Sequence, residues 1–347
     1  MNVIDLLRKN SKWNKEDYFA DSRIGHSDVV NFEKYGPKGL LIECKATKAM
    51  NFGSLVDCLL FTPEIFNSEF YICNSDDMLS EKQMELYNIF NENLFDSGLP
   101  VYFSNRSEES DNFILSICRL NKIYASFKDD TVLQKVYNLF ESFKKFQCNS
   151  SKISITADDY NQAVNIVNIL KTGELTKKLF TNFKAFYQVR MTKGNVRTLH
   201  DMILVDEKNH KIIPFDLKVT QSPESEWVEN SFYKFRYYRQ AEMYQDVLKW
   251  CISNCDDCGL WEIDDFKFLV VSAQNSVPMI FNFPIKYNEE GNLVISKKGA
   301  SVPKYIEIIN KIEWHRTNRE FNYPENIIND IYSKQNTNQI TYINIID

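Results

Sequence analysis

The chain has 347 residues, 44% of them hydrophobic and 25% charged, with a formal net charge of −6. It can bury a sizeable core, as one large domain or two small ones. No run of about 18 uncharged apolar residues exists, and the N-terminal stretch carries acids, so neither a membrane span nor a secretory signal is indicated and a cytoplasmic location is expected. The negative charge argues against holding nucleic acid by bulk electrostatics, while leaving room for a local basic groove or a bound metal. The 8 cysteines are scattered and read as reduced thiols.

In chain order, residues 53–61, 80–93 and 131–146 have apolar spacing near the helical period, so residues 1–150 read as mainly helical. At 156–170 the helix-start pattern T-A-D-D precedes Ala163, Val164, Ile166, Val167 and Leu170, which share one side of an amphipathic helix. Residues 183–191, 199–205 and 211–220 are rich in β-branched and aromatic side chains between polar turns and read as successive strands. A long helix is expected over 231–252, then strands at 266–273 and 278–283 and a helix at 302–314. A polar tail follows, in which 341–346 could form a last strand. The expected class is α/β, a central mixed sheet flanked by helices with a mainly helical N-terminal half. The expected parts are residues 1–150, a core at 151–315 and a tail at 316–347.

The segment T-L-H-D-M-I-L-V-D-E-K-N-H-K-I-I-P-F-D-L-K-V-T places two strand-like stretches around a polar turn, a hairpin pattern. With the turn centred near Lys208, Asp201 falls opposite Phe215 or Asp216. Alternation sets Asp216 and Lys218 on one face and Phe215, Leu217 and Val219 on the other. Two carboxylates and a lysine converge. Such carboxylates repel unless a divalent cation neutralises them, and their oxygens suit Mg²⁺ or Mn²⁺. Lys218 could orient or help deprotonate a water and stabilise charge on a phosphate. D-x-K alone is short and is also an ordinary strand pattern.

Downstream, in Y-R-Q-A-E-M-Y, Gln240 and Tyr244 share a helix face with Tyr237 and Leu248. Upstream, Asp57 is the one charge between Ala49 and Pro63, within F-G-S-L-V-D-C-L-L-F-T-P, where a carboxylate would be largely desolvated.

An acid, a D-x-K strand and a following Q-x-x-x-Y helix together resemble the RecB-like and RecE-like branch of the PD-(D/E)XK nucleases. The Asp57 segment resembles the N-terminal signature of phage-type RecE exonucleases (exodeoxyribonuclease VIII-like), whose members commonly have a metal-binding His where this chain has Asp57. The stretch at 22–32, containing H-S-D-V-V, resembles that family's opening helix. The likeness runs loosely from about residue 20 to about residue 290. It implies a restriction-endonuclease-like core and a Mg²⁺- or Mn²⁺-dependent exonuclease acting on double-stranded DNA ends, with 5′ to 3′ polarity, in recombination or phage DNA processing. It implies metal ligands Asp57, Asp201 and Asp216, with Lys218 at the water and Gln240 and Tyr244 placing the lysine and the scissile strand. A homo-oligomer and a single-strand annealing partner are borrowed from the same resemblance. An acid often found before the hairpin is missing, and Gln188 stands near its place.

Other candidates remain open. Cys251, Cys255 and Cys258 in C-I-S-N-C-D-D-C could be thiols at a helix end, or ligands of an iron-sulfur cluster as in some RecB-like nucleases that act on single strands. Lys234, Arg236 and Arg239, mixed with Phe235, Tyr237 and Tyr238, suit a DNA-backbone groove or a solvated helix face. His200 reads as structural, and His26, His210 and His315 have no evident partner. A protein that keeps the fold but binds without catalysis is the reading from another class.

Overall fold

The computed structural model describes residues 1–12, 15–43, 46–73, 79–93, 106–274 and 277–322. The strand expected at 341–346 lies outside them. The chain forms two compact units, residues 63–163 and the remainder, so the division does not fall at residue 150.

The unit at 63–163 is a helical cluster. Helices Glu81–Asn93, Glu108–Leu120, Asp129–Asn138 and Phe140–Cys148 bury Leu86, Phe90, Ile114, Val136 and Phe143 among themselves. The helix expected over 131–146 is interrupted at Leu139, whose amide bonds the Val136 carbonyl at 3.0 Å, a tightened turn that separates two helices. Strands β1 (Phe70–Cys73) and β2 (Ile153–Thr156) pair in parallel. The T-A-D-D start is a reciprocal cap of the helix Ala157–Thr172: Asp159 N–H donates to Thr156 Oγ1 at 3.0 Å, and Asp159 Oδ2 accepts from the Thr156 hydroxyl at 2.8 Å.

The other unit is built on a mixed sheet. Its strands are β3 (Lys184–Lys193), β4 (Val196–Asp206), β5 (Lys211–Thr220), the short β6 (Glu262–Ile263), β7 (Phe266–Ser272) and β8 (Met279–Phe283), in the order β3-β4-β5-β7-β8 with β6 beside β5. Strands β3, β4 and β5 form an antiparallel meander, and β5 runs parallel to β7. That parallel pair requires a crossover, which the helix Tyr237–Ser253 supplies. Two-residue strands β9 (Leu293–Val294) and β10 (Ser301–Val302) pair with each other, and the helix Tyr305–Asn318 follows. One sheet face packs on Ala241, Met243, Val247 and Leu248 of the crossover helix and on Ile308, Ile309 and Ile312 of the later one. The class is therefore α/β, a central mixed sheet flanked by helices. Among the described residues no helix is long and apolar enough to cross a membrane.

Alternation should send residues an odd number apart to opposite faces. In β3, however, Phe186, Val189 and Met191 all enter one core, and in β4 Val196, Ile203 and Val205 join them. Each strand therefore changes face once. The change sits at Gln188, in the left-handed region at φ 50°, where the ladder skips the pairing of Gln188 with Asp201.

The helix expected over 231–252 is also interrupted. Residues Val228–Phe232 form a π-turn, and Arg236 at φ 55° precedes the regular helix. Its guanidinium pairs with Glu33 at 3.1 Å, which holds the joint in place.

Candidate active site

The hairpin turn is secured by Asp206, whose carboxylate accepts the Lys208 and Asn209 amides at 3.1 and 3.0 Å. Met202 then pairs with Phe215, so the next position sets Asp201 across from Asp216. The ladder stops there. Instead Asp201 Oδ2 accepts the Leu217 amide at 2.8 Å, a side chain taking the backbone bond that the strands give up as they part.

Where the strands part, a largely buried charged cluster gathers. Asp216 is 1% exposed. Its Oδ1 accepts the side-chain amide of Gln240, and its Oδ2 lies 2.5 Å from Lys218 Nζ. The ammonium also rests 4.4 Å from the Tyr237 ring centroid. From the helix Lys48–Phe61 comes Asp57, whose two oxygens accept Gln188 Nε2 at 3.1 and 2.9 Å.

Burial, and then the negative charge of Asp216, push the Asp57 carboxyl up to about 7. Burial followed by Asp216 and Asp57 drives Asp201 well above the usual carboxylate range. Burial opposes the charge of Lys218, but Asp216, Tyr237 and Asp201 outweigh it and hold the ammonium above its ordinary value. A lysine so held is a poor proton acceptor near neutrality. Its chemistry is to orient and to stabilise negative charge.

Residues far apart in sequence therefore share one electrostatic site: Asp57, Asp201, Asp216, Lys218 and Gln240. Tyr244 stands behind it, 7% exposed, with its ring 5.0 Å from His200 and 6.1 Å from Phe266. His200 is fully buried, and burial lowers it to about 3, consistent with the structural reading.

The basic patch divides. Lys234 lines the cleft over the site. Arg236 is tied to Glu33 and serves the joint. Arg239 departs from expectation: its side chain is 0% exposed and bonds Glu33 at 2.7 Å and Glu242 at 3.0 Å, so it meets carboxylates rather than a nucleic-acid backbone.

The three late cysteines do not form a cluster site either. Cys251 Sγ donates to the Thr192 carbonyl at 3.6 Å and Cys255 Sγ to the Cys251 carbonyl at 3.7 Å. Among the described residues no three His, Cys, Asp or Glu side chains are arranged to hold a metal ion. This includes the aspartates, of which Asp216 is paired with the Lys218 ammonium. Their donor chemistry nonetheless suits a hard divalent ion: neighbouring carboxylates, two with raised affinity for protons, and a buried Asp216 Oδ2 satisfied only by a charge.

The cleft has a volume of about 880 Å³ and is lined by Asp57 and Lys218 with His26, Ser27, Thr47 and Lys234 among others. His26, which shows no evident partner in the sequence, is one of these lining residues. Its Nε2 is buried without a hydrogen-bond partner, and burial, then the Lys218 charge, lowers it to about 3. Nothing in its local sequence signals this, since its neighbours come from other elements. For Gln188 a signal exists: it lines up with Asp201 once the three-strand meander is laid in register.

No family model matches the chain, and neither does any curated protein. Among solved structures, a candidate exonuclease from Eubacterium rectale aligns over 96% of both chains, at 14% identity and a TM-score of 0.38. So distant a likeness leaves the function to be read from the site.

Proposed function

We propose that this chain is a metal-dependent PD-(D/E)XK nuclease that hydrolyses phosphodiester bonds at DNA ends. The observation that supports this best is that Asp57 and Lys218 line one open cleft, with Lys218 Nζ 2.5 Å from the buried Asp216 and with Asp201 set across the strands from Asp216. Asp57, Asp201 and Asp216 would hold Mg²⁺ or Mn²⁺, which when bound supplies an activated water and neutralises phosphate charge.

Lys218, kept charged by its neighbours, stabilises the negative charge that builds on the phosphate. Gln240 holds Asp216 in place, and Gln188 does the same for Asp57. Tyr244 supports the site from behind rather than gripping the strand. Lys234 meets the backbone of the bound nucleic acid. The RecE-like details stay with the resemblance: double-stranded ends, 5′ to 3′ polarity, an oligomer and an annealing partner in recombination or phage DNA processing.

The test is to incubate end-labelled linear and closed circular duplexes with Mg²⁺ and the protein, beside Asp216→Ala and Lys218→Ala. The linear DNA should be degraded and the circle spared, with each variant slower by about 10² or more. No metal-dependent loss of linear DNA, or equal loss with both variants, would refute the reading.

A further inference from the structure

The floor of the cleft is charged, but two large apolar side chains stand uncovered beside it. Met50 is 49% exposed and Phe235 is 46% exposed, and both line the cleft. They belong to separate elements, and neither contributes to a buried core.

On the helix Lys48–Phe61, the spacing of Met50, Gly53 and Asp57 sets all three on one face. That wall reads thioether, gap, carboxylate. A Cβ built on Gly53 would meet no heavy atom within 4 Å, so close packing does not demand the glycine. Glycine within a helix costs about 0.5–1 kcal/mol relative to alanine. What it leaves here is open space in the cleft, between an apolar tip and Asp57.

On the other element, Phe235 precedes the left-handed Arg236, whose tie to Glu33 is reinforced by Arg239 on the same carboxylate. The joint separates the fates of neighbouring rings. Tyr237 turns in under Lys218, while Phe235 remains exposed with its centroid 5.8 Å from that of Tyr237. Lys234 Nζ lies 5.4 Å from the Phe235 centroid. Phe235 is thus one ring removed from the ammonium that faces the phosphate in the reading above.

We propose that Met50, Gly53 and Phe235 form a slot for one unstacked nucleobase of the strand being cut. A phenyl ring and a thioether both favour the face of a flat aromatic ring, and every base offers one, so the slot is tolerant of sequence. A base inside a duplex already has its neighbours on both faces. The slot therefore selects a strand whose base beside the scissile phosphate is unpaired, and single strands and frayed ends are better substrates than blunt duplex. This rests on the nuclease reading.

The test uses the full chain and single-stranded oligonucleotides with 2-aminopurine at either terminus, with Ca²⁺ replacing Mg²⁺ to hold the complex uncut. Wild type and Phe235→Trp should quench the probe. Phe235→Ala and Gly53→Leu should leave it bright and bind about tenfold more weakly. In a second arm with Mg²⁺, a strand lacking the base beside the scissile bond should be cut about tenfold more slowly by wild type, and no more slowly than the intact strand by Phe235→Ala. Circular dichroism confirms that the variants fold. Equal quenching by wild type and Phe235→Ala, or an abasic strand cut as fast as the intact one, overturns the slot and leaves the nuclease reading standing. Failure to cut any strand with Mg²⁺ removes both.

Discussion

Gln188 holds both oxygens of Asp57 with a single side-chain nitrogen, at 3.1 and 2.9 Å, across 131 residues of chain. The contact joins an irregular point of the sheet to the one acid of the helix Lys48–Phe61. It gives the amide a role that an ionised acid would not fill, since a further negative charge there would repel Asp57.

Replacing this amide should weaken metal binding before it weakens chemistry. In Gln188→Leu, the Mg²⁺ concentration for half-maximal cleavage should rise about 10- to 100-fold, while the rate at saturating metal changes little. A metal titration of DNA cleavage, with calorimetric Mg²⁺ binding beside it, reads both quantities. An unchanged half-saturation point would show that Gln188 merely packs.

The raised carboxyls link stability to pH. Asp57 titrates at about 7 in the fold, against about 3.9 for a free aspartate. The folded state thus binds the proton more tightly than the unfolded chain. The stability this contributes is full below about 4 and is lost as pH rises through about 7. Asp201 shifts in the same direction. Without divalent metal the melting temperature should therefore fall between about pH 5 and pH 8, and Mg²⁺ should remove most of that fall. Asp57→Asn should flatten the metal-free profile, and thermal melts with EDTA or Mg²⁺ decide the matter.

Two basic residues of one short segment should fail in different ways. Arg239→Ala removes the buried partner of Glu242 and one of the two arginines on Glu33, and should cost about 3–5 kcal/mol in urea unfolding. Lys234→Ala should leave stability unchanged but reduce the slope of log affinity against log salt for DNA by about 1. If Arg239→Ala instead altered only the salt slope, the buried network described for it would be wrong.

Gly53 offers a check on the space around the helix Lys48–Phe61. Gly53→Ala should raise stability by about 0.4–1 kcal/mol, because the added methyl meets nothing and restricts the unfolded chain. A loss of stability in urea would mean that the position is tighter than it looks.

The parts of the site that are legible in the sequence are those set by short-range rules. Alternation places Asp216 and Lys218 together, and turn composition centres the hairpin so that Asp201 meets them. Helical spacing aligns Gln240 with Tyr244, and an isolated charge among apolar residues marks Asp57. The rest depends on contacts between distant segments. Arg239 looks solvent-bound within its own segment because its partner Glu33 lies 206 residues away. The left-handed turn at Arg236 is hidden because no glycine or asparagine announces it. The compact unit at 63–163 carries no compositional border. His26 enters the cleft because residues of other elements, Asp57 and Lys218 among them, close around it.

The double change of face at Gln188 and Asp201 ties the cleft to the core. Val189, Met191 and Val196 reach the interior because the strands are bent out of step at that point. A perfectly alternating version of these strands would turn those side chains toward the opposite side of the sheet. Mutations that straighten the sheet to make it more regular would thus be penalised by lost burial, even in a protein under no selection for activity. The distortion that parts the carboxylates is inherited together with the hydrophobic interior, and can outlast whatever chemistry first required it.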